Sequence, residues 1–281
     1  EIASCLVGSE MCIRDSFSTV CADDVDNEGE FENTVEVTAS SVTALPKTNS
    51  RRYIVYDRIS KSMIIGKNED VKSAMASTTK IMTTIVILEK SDLDETVTVS
   101  AKAGGTGGSR LGLKRGDKAS VKDLLYGLML RSGNDAAVAL AEHVGGSVKE
   151  FAELMNEKAI ELGLTNTHFV TPHGLDDANH YTTALELAKL TDYAMDNETF
   201  AKIVGTKSTT IYINNQPRQI NNTNELLGVL NGVVGVKTGF TNNAGRCLVT
   251  ETKRNNMDII TIVLGADTKK DRTKDLSLIH I

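Results

Sequence analysis

Short runs rich in Val, Ile and Thr lie near both ends of the patterned part of this sequence. Residues 52–56 and 63–65 form two such runs separated by a polar turn, which predicts a hairpin at the edge of a sheet. Four further runs predict strands in the last third of the chain, at 208–213, 233–237, 245–252 and 257–264. Because these strands are closely spaced, we expect them to pair antiparallel, in one sheet that the first and last segments of the chain complete.

Helical periodicity fills the middle of the chain. A helix is predicted from Ser77 to about Lys90, where Ile81, Ile85 and Leu88 repeat an apolar position at helical spacing. Apolar repeats with capping residues and closing glycines predict further helices at 120–130, 135–144, 147–162 and 182–195. Three consecutive helices after strands indicate a helical subdomain, about residues 100–205, inserted into an α+β unit.

The glycine-rich stretch at 104–108 is predicted to be a loop that follows an extended segment at 96–100. A phosphate-binding interpretation of this stretch fails. No Gly-Lys-Ser/Thr follows it, and no helix is predicted to open directly from it.

The composition is that of a globular protein. The 281 residues are 40% hydrophobic and 24% charged, which excludes a fibre or a fully disordered chain. The net charge of −6 is uneven, because seven acidic residues lie between positions 23 and 36 with no Lys or Arg among them, and the rest of the chain carries +1. With no Trp and few aromatic residues, the chain offers neither a basic groove nor stacking platforms, so no nucleic-acid partner is expected.

Both ends of the sequence are expected to be non-native. Residues 1–16 and 276–281 resemble translated sequencing-adapter sequence and match nothing else in the chain, so we leave them out of the fold prediction. Residues 17–22 fit the remnant of a signal peptide, because small residues precede a cleavage point. The acidic, Ser/Thr-rich stretch up to residue 50 is typical of a flexible leader. These boundaries leave 51–275 as the folded domain of a protein that we expect to be exported.

One of the four cysteines falls in this expected domain. Cys5 and Cys12 lie in the non-native start and Cys21 in the signal remnant, so no disulfide is expected. Cys247 is predicted to be a small buried apolar residue. No run of 18 or more apolar residues occurs, so the sequence predicts no membrane-spanning helix.

Ser77 and Lys80 stand three residues apart at the start of the first predicted helix, so both side chains are expected on one face of its first turn. A serine hydroxyl is a poor nucleophile at neutral pH unless a neighbouring base takes its proton. A lysine can be that base when burial or nearby positive charge lowers its pKa. Backbone N–H groups at the helix start can also stabilise negative charge near Ser77. By itself, however, Ser-x-x-Lys more often marks a capped helix start with an exposed lysine.

Two further polar motifs fit the same chemistry. The segment Arg-Ser-Gly-Asn-Asp at 131–135 lies in a short connection between two predicted helices, where the Ser132 hydroxyl and the Asn134 amide can project into a cleft. The segment Val-Lys-Thr-Gly-Phe at 236–240 ends a predicted strand. There a cation and a hydroxyl stand beside Gly239, which lets a substrate backbone approach closely.

The three motifs, in this order and each present once, resemble the signature of penicillin-recognising serine enzymes. Segments 76–84, 128–146, 162–176 and 235–246 resemble the D-alanyl-D-alanine carboxypeptidases, which are low-molecular-weight penicillin-binding proteins, and the resemblance covers about residues 52–270. It implies a β-lactamase/transpeptidase-like α+β fold. That fold has a five-stranded antiparallel sheet flanked by helices and an inserted helical subdomain, in agreement with the elements predicted above.

The resemblance also implies a serine-type carboxypeptidase mechanism. Ser77 would attack the carbonyl between two terminal D-alanines, and water would then hydrolyse the acyl-enzyme. Lys80 would be the base, with its pKa lowered by burial and by Lys237. Ser132 would relay the proton to the leaving amine, and Asn134 would bind substrate and hold Lys80.

The same resemblance places the substrate against the strand motif. Lys237 and Thr238 would take the terminal carboxylate, and the backbone N–H groups of Ser77 and Phe240 would form the oxyanion hole. An arginine beyond the last strand lies near the cleft in this family, and Arg272 is the candidate here.

The partners implied are peptidoglycan stem peptides as substrate and β-lactam antibiotics as inhibitors, without a cofactor or a metal. Family members continue beyond Lys270 into a helix that packs on the sheet, then often a β-rich domain and a terminal amphipathic anchor. We find none of these in the sequence. We therefore expect a truncated chain with one exposed sheet face, which lacks the C-terminal segment that would attach it to the outer face of the membrane.

Three alternatives stay open. A class A-like β-lactamase shares the motifs but has Ser-Asp-Asn and a Glu-x-x-x-Asn loop, and no Glu between 135 and 236 is followed four residues later by Asn. A metal protein would use His168, His173 and His180, yet their spacing does not stack on a helix and no His-Glu-x-x-His occurs. An inactive wall-binding homologue is hard to favour, because all the motif side chains are present.

Overall fold

The structure is a computed structural model that describes residues 47–280. The predicted signal remnant, most of the acidic leader and three of the four cysteines lie outside the described residues. The strands are β1 (Arg52–Asp57), β2 (Ser62–Lys67), β3 (Thr96–Thr98), β4 (Lys118–Ser120), β5 (Ser208–Ile213), β6 (Gln216–Asn221), β7 (Val233–Thr241), β8 (Gly245–Arg254) and β9 (Met257–Ala266). The helices are α1 (Lys80–Lys90), α2 (Ala101–Gly105), α3 (Val121–Leu130), α4 (Asn134–Gly145), α5 (Val148–Glu161), α6 (Ala184–Met195), α7 (Glu198–Val204) and α8 (Lys269–His280).

Five strands form the central sheet in the order β2-β1-β9-β8-β7, and each neighbouring pair is antiparallel. Among the described residues, the first strand pairs with the last, with Ile54 opposite Ile262. This arrangement confirms the predicted five-stranded antiparallel sheet that both ends of the chain complete. It leaves β7 at one edge, with its outer side free to meet other parts of the fold.

Alternation along the strands divides the core into two layers. On one face, Ile54, Val249 and Ile262 pack with the residues of α1 and α3 to α7 in a large apolar cluster. On the other face, Tyr53, Leu248 and Val263 form a smaller cluster. Successive side chains of a strand point to opposite faces, so a sheet buried on both sides needs the nearly continuous apolar runs that the sequence has here.

The helices begin and end where their capping residues predict. The Ser120 hydroxyl accepts the N–H of Asp123 at 3.0 Å, and α3 follows. Helix α4 ends before Gly146, whose φ of 78° lies in the left-handed region that glycine adopts without strain. Ser147 then caps α5 by accepting the N–H of Glu150.

The predicted strand at 208–213 does not join the central sheet, so that part of the sheet prediction was wrong. β5 pairs instead with β6 as a separate two-stranded sheet. The turn between them is Asn214-Asn215, and both residues have positive φ angles, 52° and 60°. Such angles favour a tight hairpin between neighbouring strands, which keeps β5 with the strand that follows it. The hairpin packs against α3.

Two helices were missed in the middle of the chain. Gly104 and Gly105 close the short helix α2, so the loop predicted at 104–108 begins only after them. Ser100 caps this helix by accepting the N–H of Ala103. Helix α7 follows the Asn197 cap, which accepts the N–H of Phe200. Helices α2 to α7 all lie between residues 101 and 204.

The expectation of an exposed sheet face without a following helix was also wrong. Helix α8 packs on β8 and β9. Its Leu276 is fully buried in the smaller apolar cluster, although it falls in the stretch that was expected to be non-native. The buried Asp275 carboxylate accepts the backbone N–H of Ser50, which ties the helix to the start of the folded part.

Candidate active site

A short 3₁₀ helix, Ala76–Thr79, carries Ser77 into the first turn of α1. Ser77 is half-buried, whereas Lys80 is fully buried. The Lys80 Nζ lies 2.9 Å from the Ser77 Oγ. The spacing of three residues therefore places the amine beside the hydroxyl, as the sequence predicts.

The Lys80 amine is surrounded by neutral acceptors. It donates to the Asn134 Oδ1 at 2.8 Å and to the His173 backbone oxygen at 2.9 Å. Burial holds the pKa of Lys80 well below its usual range, and the nearby charge of Lys237 lowers it further against the opposing effect of Asp135. A neutral amine has two hydrogens, which these two acceptors use. Its lone pair is then left for the hydroxyl hydrogen of Ser77.

Asn134 is held by the loop before α3. Its Nδ2 donates to the Gly107 oxygen at 2.8 Å, and its backbone N–H donates to the Ser109 oxygen at 2.8 Å. The neighbouring Asp135 carboxylate accepts the N–H groups of residues 111–113. These bonds anchor the predicted connection at 131–135 to the loop at 107–113, which fixes the orientation of the Asn134 amide.

Ser132 lies in the connection between α3 and α4 with a φ of 58°. This left-handed conformation is strained for a residue other than glycine, and such strain persists where the surrounding structure enforces it. Ser132 is 7% exposed, and its hydroxyl has no hydrogen-bond partner among residues 47–277. A hydroxyl that is nearly buried and not yet engaged can exchange a proton with a bound molecule.

The Lys-Thr-Gly motif lies on the edge strand β7. Lys237 is buried, its amine donates to the Thr238 backbone oxygen at 2.9 Å, and burial lowers its pKa to about 7. The Thr238 hydroxyl lies 3.1 Å from that of Thr223. A Cβ at Gly239 would stand only 3.0 Å from the Ser77 nitrogen, so glycine allows β7 to approach the nucleophile segment closely.

Two predicted site residues lie at the margin of this cluster. The Phe240 side chain is half-exposed, and the Arg246 guanidinium stacks 3.9 Å from its ring centroid. Arg272, on α8, is buried with its guanidinium 3.8 Å from a carboxylate oxygen of Glu225. The described contacts bring together Ser77, Lys80 and Asn134 directly. They do not join Arg272 to that group.

Each of the three histidines in the 165–180 loop has a ring nitrogen in a hydrogen bond within the protein. The His180 Nδ1 accepts the N–H of Val170 at 3.0 Å, so its Nε2–H donates to the Thr79 hydroxyl at 2.8 Å. Burial lowers the pKa of His180 to about 4 and that of His173 to about 3, so both are neutral at pH 7. The contribution of His173 to the Lys80 environment comes through its backbone oxygen, which no side-chain motif could have revealed.

Gly174 packs against the segment Ala76–Thr79, which carries Ser77. Its φ is 82°, and a Cβ there would overlap the carbonyl oxygen of Ala76, the residue before Ser77. We expect Gly174→Ala to lower the free energy of unfolding by about 3 kcal/mol, from left-handed strain and overpacking together, and to slow acylation of Ser77. Gly163→Ala is the matched control, because Gly163 has a φ of 68° but no atom within 4 Å of a Cβ. Urea denaturation of both variants measures the difference, and equal losses would contradict this account.

The sheet, its flanking helices and the Ser-Lys-Asn cluster define a protein of the β-lactamase/transpeptidase-like class. The solved DD-transpeptidase of Streptomyces K15 superimposes with a TM-score of 0.80 at 34% identity, covering 85% of this chain and 98% of that one. The D-alanyl-D-alanine carboxypeptidase DacD of Francisella tularensis gives a TM-score of 0.79 at 29% identity, covering 89% of this chain and 74% of that one. The predicted fold class is thereby confirmed.

Sequence comparison gives the family. The profile of the peptidase S11 family, described as D-alanyl-D-alanine carboxypeptidase, matches residues 37–268. The D-alanyl-D-alanine carboxypeptidase DacF of Bacillus subtilis is 38% identical over 230 residues, which are 80% of this chain and 59% of that protein. The carboxypeptidase DacC of Escherichia coli is 38% identical over 258 residues, 83% of this chain and 61% of that protein.

The chain therefore belongs to the D-alanyl-D-alanine carboxypeptidase family. It spans about three-fifths of the length of the first curated relatives it matches. None of the helices described between residues 47 and 280 has the length and apolar character needed to cross a membrane.

Proposed function

We propose that this protein is a serine-type D-Ala-D-Ala carboxypeptidase. It removes the terminal D-alanine of peptidoglycan stem pentapeptides through an acyl-enzyme and is inhibited by β-lactams. The proposal rests on one observation. The buried Lys80 amine lies 2.9 Å from the Ser77 hydroxyl, and its two hydrogens are directed to the Asn134 side chain and the His173 backbone oxygen. An amine with a lowered pKa and a free lone pair in that place is a general base for that hydroxyl.

Acylation begins when Lys80 takes the Ser77 proton and the Ser77 oxygen attacks the carbonyl carbon between the two D-alanines. The negative charge on the carbonyl oxygen is stabilised by the backbone N–H groups of Ser77 and Phe240. Strand β7 approaches the nucleophile segment closely at Gly239, the residue before Phe240. The carbon–nitrogen bond then breaks. The proton passes to the leaving amine through the Ser132 hydroxyl, which has no competing hydrogen bond within the described residues.

Lys237 and Thr238 bind the terminal carboxylate of the substrate in this proposal. Within residues 47–277, the buried Lys237 amine has one hydrogen-bond acceptor, the Thr238 oxygen, so its other hydrogens are available to an anion. A bound carboxylate also raises the pKa of Lys237 from about 7 and keeps its charge. Gly239 and Phe240 complete this side of the cleft, and Arg272 stays a sequence-based candidate.

Water hydrolyses the acyl-enzyme in the second half of the reaction, with Lys80 again the base. The reaction needs no cofactor.

We further propose that the native protein is exported and works at the outer face of the cell membrane or in the cell wall. Its substrate polymer lies there, and small residues at 20–22 fit a signal-peptide cleavage point. A C-terminal anchor like that expected from the family would hold it at the membrane.

Labelled penicillin tests this proposal directly. We expect one covalent adduct per chain, on Ser77, by mass spectrometry of the digested protein. Ser77→Ala should lose the adduct and the release of D-alanine from an acyl-D-Ala-D-Ala peptide. Ser208→Ala, at an exposed serine of β5, should keep both. An adduct on another residue, or D-alanine release by Ser77→Ala, would overturn the mechanism. Rapid turnover of penicillin without a lasting adduct would favour a β-lactamase instead.

A further inference from the structure

A cavity of about 310 Å³ is lined by three arginines, Arg110, Arg131 and Arg218, with Leu111 and residues 219–221 of β6. Arg131 directly precedes Ser132. We propose that this cavity is a subsite for a carboxylate on the acyl part of the peptide substrate. The inference rests on the proposed carboxypeptidase function and adds to it a preference for an acidic residue upstream of the bond that is cleaved.

The three arginines converge without acidic partners. Within the described part of the chain, none of them forms an ion pair, and no acidic residue lines the cavity. The Asp135 carboxylate stands behind Leu111, but it is fully buried and its oxygens accept the N–H groups of residues 111–113 and Ala136. Like charges around one cavity repel each other, and a bound anion would offset that repulsion.

Two of the guanidinium groups are held in place by neutral acceptors. Arg218, which is half-buried, donates to the Leu111 backbone oxygen, and Arg110 donates to the Gly104 backbone oxygen. Each guanidinium has five N–H donors in a planar fork, so these contacts leave donors available for a ligand. Arginine binds carboxylates in a bidentate manner that a point charge does not reproduce.

The walls of the cavity continue into the proposed catalytic cluster. Arg131 is followed directly by Ser132. The Ser109 oxygen, just before Arg110, accepts the N–H of Asn134. On the third wall, the chain runs from β6 to Thr223, whose N–H donates to the Leu130 oxygen and whose hydroxyl lies 3.1 Å from that of Thr238. The segments that line the cavity are therefore the ones that lead directly into Ser132, Asn134 and Thr238.

The ligand class follows from the position of the cavity. The terminal carboxylate of the substrate is assigned to Lys237 and Thr238, on β7. The arginine cavity is lined by Arg131, the residue before Ser132, on the helical side, so it suits a second carboxylate carried by the acyl part. The acyl part stays bound to Ser77 after D-alanine leaves, so the cavity would hold it through both steps.

Synthetic pentapeptides ending in D-Ala-D-Ala test the inference. Each of the three upstream positions carries glutamate in one peptide and glutamine in its pair, and D-alanine release is followed with the full chain. At one position we expect kcat/KM to be about tenfold higher for glutamate, mainly through a lower KM. Added salt should reduce this ratio.

Variants assign the preference to the cavity. The double variant Arg131→Gln/Arg218→Gln should bring the ratio of glutamate to glutamine close to one. Arg115→Gln should keep it, because Arg115 is exposed on the same loop but does not line the cavity. Thermal melting of each variant shows whether its fold is intact.

Three outcomes would overturn the subsite. Equal kcat/KM for all glutamate and glutamine pairs is one, and survival of the preference in the double variant is another. Arginine-dependent inhibition by polyphosphate without any glutamate preference would assign the cavity to a phosphate polymer instead. If neither peptide is cleaved and penicillin leaves no adduct on Ser77, the proposed function fails along with the subsite. Cleavage without preference removes the subsite alone.

Discussion

Lys80→Met is expected to slow acylation of Ser77 by penicillin about a thousandfold, the range in which a positioned general base contributes. Methionine fills much of the same buried volume but cannot accept the Ser77 proton. The buried position also gives water no direct route to replace the amine, since Lys80 is fully buried. The measurement is the second-order rate of adduct formation, with the free energy of unfolding determined in parallel.

The variant Lys80→Arg tests whether position 80 needs a general base or only a positive charge. Arginine keeps a positive charge at this position but cannot lose its proton in a protein, so we expect it to be as inactive as methionine. In the unchanged protein, acylation should fall as the pH is lowered and Lys80 becomes protonated. The opposite direction, or a Lys80→Arg variant with more than about a tenth of the original rate, would rule out Lys80 as the base.

The three-residue spacing of Ser77 and Lys80 was sufficient to predict that their side chains meet. Ser77 and Lys80 lie one helical turn apart, and the geometry of a helix start fixes their relative position once α1 forms. The 3₁₀ turn at Ala76–Thr79 changes the detail of that geometry, yet the amine and hydroxyl still meet. Relations of this kind depend on a few consecutive residues, and the sequence contains them in full.

The contacts around Lys80 could not be predicted from the spacing of residues in the sequence. Its partner His173 contributes a backbone oxygen from a loop 93 residues away, and Asn134 is held by the Gly107 oxygen. Any residue can supply a backbone carbonyl, so the identities of His173 and Gly107 did not indicate these contacts. Their arrangement depends on how two loops pack over α1, which is a tertiary property.

The errors in the predicted fold also have a physical cause. Strand propensity placed 208–213 correctly as a strand, but it does not select a partner, and the Asn214-Asn215 turn selected β6. Helix α8 was missed because residues 276–281 were left out as non-native, yet burial of Leu276 on the sheet stabilises this mostly polar segment as a helix. In both cases a contact beyond the element decided the outcome.

Arg58→Met is expected to lower the free energy of unfolding at pH 8 by about 3 kcal/mol or more, because it leaves buried acids without their central cation. Arg58 is 8% exposed and bonds to Asp192 at 2.9 Å, to Asp258 at 3.0 Å, and to Glu251, which is fully buried. This cluster joins the β1–β2 turn to α6, β8 and β9. Denaturation in urea measures the loss, and Arg51→Met is the control, since the ion pair of Arg51 with Asp267 is exposed.

The loss should depend on pH through Glu251. Burial, and then the charge of Asp258, raise the pKa of Glu251 to about 7 in the folded protein, above its ordinary value of 4.5. A raised carboxyl pKa stabilises the folded state fully below about 4.5, and this contribution disappears as the pH rises through about 7. Without Arg58 the pKa rises further, so the variant should be weakened more at pH 8 than at pH 5. Arg58→Met/Glu251→Gln should lose most of this added pH dependence, because glutamine does not ionise. A loss that is the same at both pH values, or that persists unchanged in the double variant, would mean that Arg58 stabilises the fold by packing rather than by neutralising Glu251.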